Sequence, residues 1–115
     1  MLNLSNTPVL LYVLPVDMRK SIDGLSMLVS GELKLNPTDN YLFVFRNKAS
    51  NKIKILYWER NGFWLFYKRL EKSRFCFPSS GERWDLSITQ LRWLLDGLDI
   101  SKLKEQKILK YQNFY

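Results

Sequence analysis

Between Arg46 and Arg74 the chain carries nine basic residues, Arg46, Lys48, Lys52, Lys54, Arg60, Lys68, Arg69, Lys72 and Arg74, against two acids, Glu59 and Glu71. The surplus of +7 equals the net charge of the whole chain. The overlapping stretch NKIKILYWERNGFWLFYKRLEKSRFCFP, Asn51 to Pro78, interleaves cations with tryptophan, tyrosine and phenylalanine. Cations neutralise phosphates and aromatic rings stack on bases, so the chemistry on offer is nucleic-acid binding. A sheet core requires rings too, and Tyr57, Trp58, Trp64 and Phe66 read mainly as packing. A second cluster, Arg19 and Lys20, falls at the expected opening turn of a helix. Helix amides and two cations there would hold a phosphate. Asp23, one turn on, offers the plainer reading of a solvated and locally compensated face.

Reactive chemistry is thinly supplied. The chain has no histidine, which removes the commonest general base and metal ligand. Its one cysteine, Cys76, sits between Phe75 and Phe77 and reads as packing. No glycine-rich phosphate loop occurs, and the carboxylates, with Asp17 and Asp23 six apart and Asp96 and Asp99 bracketing a helix end, form no two-metal pattern. The expectation is a protein that is not an enzyme and uses no cofactor or metal.

At 115 residues, 46% of them hydrophobic, the chain suits one packed domain. A pI near 9.6 suits nucleic acid, an anionic membrane surface or an acidic protein. No apolar run approaches the ~18 residues of a membrane span. The opening MLNLSNTPVLLYVLP lacks a basic leader and reads as no signal peptide. With a single cysteine as well, the expected location is cytoplasmic.

The elements that must position the cations follow from pattern. PVLLYVLP (Pro8 to Pro15) reads as a first strand. A helix capped by Asp17 should follow, with Met18, Ile22, Leu25 and Val29 on one face. YLFVFR (Tyr41 to Arg46) has no polar face and is expected in the middle of a sheet. KIKILYWE (Lys52 to Glu59) and FWLFYKRL (Phe63 to Leu70) flank Asn61-Gly62, a hairpin signal. RFCFP (Arg74 to Pro78) is expected as an edge strand and SSGER (Ser79 to Arg83) as a loop. Ser87 with Gln90 predicts a capping box, Leu86 with Leu91 a hydrophobic staple, and Gly97 the end of a second helix. An Asn61-Gly62 turn would place Trp58 opposite Leu65 and Lys54 opposite Arg69. A phosphate would relieve that like-charge pair; Glu71, diagonal to Lys54, would do so as well.

Three blocks, DMRKSIDGL (Asp17 to Leu25), YLFVFRNKASNKIKILYWERNGFWLFYKRLEKSRFCFP (Tyr41 to Pro78) and ITQLRWLLDGLD (Ile88 to Asp99), resemble in order and spacing the accessory protein TnpB of the IS-66 group of bacterial insertion sequences. The resemblance covers roughly residues 5 to 100, and its matching positions include Arg19, Lys20, Arg46, Lys54, Lys68, Arg69 and Arg74. The chain departs from it at Ser21, where such proteins usually have glycine, and after Asp99. It implies a helper role in transposition beside a separate catalytic transposase.

The expectation is therefore an α+β domain over residues 1–100, a mainly antiparallel sheet of four to five strands with two helices on one face. Residues 101–115 would form a basic tail or short helix. DNA is the expected partner, through Arg19, Lys20, Arg46, Lys48, Lys52, Lys54, Lys68, Arg69, Lys72 and Arg74. The transposase and other element-encoded proteins are the further candidates, with no membrane and an open oligomeric state. The alternative is an adaptor that docks on the transposase without touching nucleic acid. RNA binding is a third reading and needs exposed rings on the sheet face.

Overall fold

A computed structural model describes residues 3–103, in which β1 (Val9–Tyr12), α1 (Ile22–Gly31), β2 (Leu42–Arg46), β3 (Lys52–Glu59), β4 (Gly62–Arg69), β5 (Arg83–Leu86) and α2 (Ile88–Leu95) follow in order. The strands make one sheet ordered β4-β3-β2-β1-β5. β1 and β2 are parallel, joined through α1, and the other neighbours are antiparallel. The class is α+β, as expected, with β2 at the centre. Most of the segment expected as a basic tail lies outside the described residues. No helix among the described residues is long and apolar enough to cross a membrane.

The helices do not share a face. Leu25 and Val29 of α1 pack with Leu10, Tyr12, Phe43, Phe45 and Leu56. Leu91 and Leu94 of α2 pack with the alternate residues of the same strands, among them Val9, Leu11, Val44 and Ile53. The cause lies in β1 and β2: Val9 to Tyr12 and Leu42 to Phe45 are buried without a break. A strand apolar on both sides needs cover on both sides, and one helix supplies each.

The hairpin register also differs from expectation. Glu59 pairs with Gly62, so Arg60 and Asn61 form the turn, and every partner shifts by two residues. Trp58 then meets Phe63 edge-on at 4.9 Å, and Trp64 Nε1 donates to Glu59 Oε1 at 2.8 Å. These cross-strand contacts favour the observed pairing, although Arg60 must adopt φ 52°. Lys54 consequently faces Tyr67, and Lys52 faces Arg69. A two-residue shift leaves each side chain on its expected side of the sheet.

The second edge strand comes later than expected. Arg74 to Pro78 is not a strand; Phe75 is buried, and its N–H donates to Ser50 O at 2.7 Å. Arg83–Leu86 pairs with β1 instead. α2 ends as its caps predict: the Ser87–Gln90 capping box is complete, Gly97 takes φ 86°, and Leu98 N–H donates to Trp93 O.

Candidate nucleic-acid interface

β1, β2 and β4 all run toward one end of the sheet, where β3 begins. Three connections meet there: residues 13–21, 47–51 and 70–82. They are joined through the backbone. Val16 N–H donates to Arg46 O at 2.8 Å, Leu70 N–H to Asn51 O at 2.8 Å, and Phe75 N–H to Ser50 O at 2.7 Å. Arg19 and Lys20 lie on the first connection, Lys48 on the second, and Lys72 and Arg74 on the third, with Lys52 and Arg69 at the strand ends beside them.

On the α1 side this end opens into a groove of about 800 Å³, whose polar lining includes Arg19, Lys48, Lys52, Lys54 and Tyr67, with Asp17 its one acid among the described residues. Lys54 fastens its wall. The ammonium donates to Met18 O and Lys20 O, each at 2.8 Å, and lies 5.9 Å from the centroid of the half-exposed Tyr67 ring. Asp17 accepts from Arg19 N–H at 2.9 Å and pairs with its guanidinium at 2.7 Å. Those hydrogen bonds from Arg19 hold the Asp17 carboxyl down at about 2. Arg69 pairs with Glu71 at 2.9 Å while facing Lys52, which leaves two cations side by side on the sheet. The side chains of Lys20, Lys48, Lys52, Lys72 and Arg74 make no ion pair among the described residues.

Two of the expected residues have other duties. Arg46 Nε donates to Val13 O at 2.6 Å, its guanidinium lies 5.2 Å over Phe77, and burial pushes its pKa down from the ordinary value. It ties β1 to β2 rather than opening to solvent. Lys68 points to the α2 side, where its ammonium donates to Leu95 O at 2.9 Å. The helix-terminus arrangement at Arg19 and Lys20 does not form either: α1 starts at Ile22 with Ser21 as N-cap, so both residues precede the helix. Asp17 is not the cap because its carboxylate already closes its own turn.

Asn47 and Tyr67 belong to the site and were not among the expected residues. Asn47 Oδ1 accepts from Asn51 N–H at 3.1 Å and Lys52 N–H at 3.0 Å, and its Nδ2 donates to Asn51 Oδ1 at 2.7 Å. This network shapes the loop that presents Lys48. An asparagine opening a polar turn is its sequence signal. Tyr67 was already expected on the same sheet face as Lys54, and the observed register brings the two directly opposite. No group of three or more histidine, cysteine, aspartate or glutamate side chains among the described residues could hold a metal ion.

The family model for IS66 Orf2-like proteins matches residues 7–105. The chain is 42% identical over 84 residues to the uncharacterized protein y4hO of Sinorhizobium fredii, covering 72% of this chain and 73% of that one. A second protein of that organism, y4jC, is 33% identical over 95 residues, covering 82% and 81%. No solved structure matches. The chain belongs to the IS66 Orf2-like family.

Proposed function

From membership of the IS66 Orf2-like family, we propose that this chain is a non-catalytic accessory factor of transposition that holds DNA in the groove at the carboxyl end of β1, β2 and β4. One observation carries the reading: cations distant in sequence, Arg19, Lys48, Lys52 and Lys54, line one groove that contains a single acid among the described residues, already engaged by Arg19. Lys48 and Lys52 take the phosphates, Arg19 borders them, and Lys54 holds the Asp17 to Lys20 turn in place. Lys72 and Arg74 extend the positive surface along the neighbouring connection. Contacts of this kind position a duplex backbone without reading its sequence.

Fluorescence anisotropy with a short duplex across a salt series tests it. Each phosphate contact contributes about −0.9 to the slope of log K against log salt. The paired change Lys48→Glu and Lys52→Glu should flatten the slope by about 2 and weaken binding more than tenfold at low salt. Unchanged affinity in that variant, or binding that ignores salt, would overturn the proposal. A rival role as a transposase adaptor is favoured by the free edge of β4, where Trp64 is 47% exposed and stacks on Phe66 at 6.0 Å. Copurification with the element's transposase that survives nuclease treatment would select that role; loss of the complex would select DNA.

A further inference from the structure

The α2 side of the sheet bears a second opening. A helix is about 10–12 Å wide, whereas five strands about 4.8 Å apart span ~19 Å between the outermost axes. α2 packs beside β5, and the outer strand β4 stays partly exposed on this side. The result is a groove of about 330 Å³. Ile53 and Ile55 form its floor, and Phe66, Ile88 and Leu95 are half-buried in its walls. Trp64 prolongs the apolar strip along β4.

Among the described residues its charged lining consists of Lys68 and Arg92, with no acid. Lys68 donates one N–H of its ammonium to the Leu95 carbonyl, and Arg92 is exposed without an ion pair among the described residues. An apolar floor offers nothing to a phosphate backbone, so this groove does not repeat the one on the other side. A second copy of the chain would bring the same two cations against themselves in a symmetric contact. The complementary occupant is apolar at the centre and negative at its flanks.

We propose that this groove docks an acidic amphipathic segment of a partner protein, with its apolar side chains over Phe66, Ile88 and Leu95 and its carboxylates against Lys68 and Arg92. Spacing of i, i+4 and i+7 apolar anchors on a helix suits a groove between a helix and a sheet. The proposal stands on residues of the opposite face from the DNA groove and does not depend on it.

The full chain is titrated by anisotropy with a labelled helical peptide carrying leucines at those spacings and flanking glutamates, and with a matched peptide carrying lysines instead. The glutamate peptide should bind at least about tenfold tighter. Lys68→Glu combined with Arg92→Glu should reverse the preference while leaving duplex affinity within about twofold. Lys48→Glu combined with Lys52→Glu alters net charge equally on the other face, and should leave peptide affinity within about twofold. Leu95→Gln should weaken the glutamate peptide without changing the preference for sign. No binding of the glutamate peptide, equal response to both double variants, or indifference to Leu95→Gln would each overturn the proposal. So would concentration-dependent self-association in sedimentation that the Lys68 and Arg92 changes abolish, since the occupant would then be a second copy.

Discussion

Lys54→Met separates a cation that touches DNA from one that builds the site. The substitution keeps the apolar stem and removes two charge-assisted hydrogen bonds to the carbonyls of Met18 and Lys20. Such bonds contribute about 1.5–3 kcal/mol each when shielded. The Lys20 carbonyl is exposed, so the pair together should be worth about 2 kcal/mol, with the Tyr67 contact adding less than about 1 kcal/mol. In a domain of this size that loss lowers the melting temperature by roughly 10 °C. The Asp17 to Lys20 turn then loses its tie to β3, and Arg19 loses its fixed position at the groove. Urea melts give the stability change, and duplex titrations of Lys54→Met, Arg19→Ala and the double variant give the coupling. A building role predicts non-additivity of about 1 kcal/mol, since Lys54 holds the turn that carries Arg19 and residues in one network couple. Stability within about 0.5 kcal/mol of the parent, or strict additivity in DNA binding, would refute the reasoning.

Asp17 is the group to follow in acid. Its folded pKa of about 2 lies below the ordinary 3.8, so its pairing stabilises the fold above that ordinary value and is lost as pH falls toward 2. Carbon NMR should show the carboxyl half-ionised at about pH 2, and Arg19→Ala should raise its titration toward the usual carboxylate range, the backbone N–H at that position still holding it partly down. Ser87→Ala removes the side-chain half of the α2 capping box and should cost about 1 kcal/mol in urea melts, without changing duplex affinity. Arg60→Gly relieves the positive φ at the hairpin turn and should raise stability by up to about 1 kcal/mol, with the β3–β4 register unchanged by NMR.

The strongly patterned elements could be read from the residues because their signals are local. The capping box and Gly97 bounded α2, and the unbroken apolar run of β2 marked the centre of the sheet. That run also held the information that both faces need cover. VLLY in β1 repeats it, yet the two helices were expected together because helix periodicity reports which side of a helix is buried and says nothing about which side of a sheet buries it. Asn61-Gly62 was a true turn signal placed one residue late: cross-strand pairing of Trp58 with Phe63 overrode the local preference for positive φ at the asparagine and glycine. β5 escaped because four residues of alternating RWDL carry little pattern without the strand they pair with. Most of the site's cations were identifiable by charge density. Their sorting was not, since Arg46 and Lys68 differ from Lys48 only in the carbonyls that tertiary packing brings to them.

The alternation of β3 and β4 has a consequence for regulation. Neighbouring residues such as Lys54 and Ile55 address opposite sides of a partition one sheet thick, so a polyanion and a polypeptide could be carried at once, with Tyr67 at the rim the one side chain that borders both grooves among the described residues. Ligands bound independently in this way add their stabilisations, each by mass action, and leave each other's affinity nearly unchanged. A protein built so would serve as a tether, holding two bodies near each other by geometry alone.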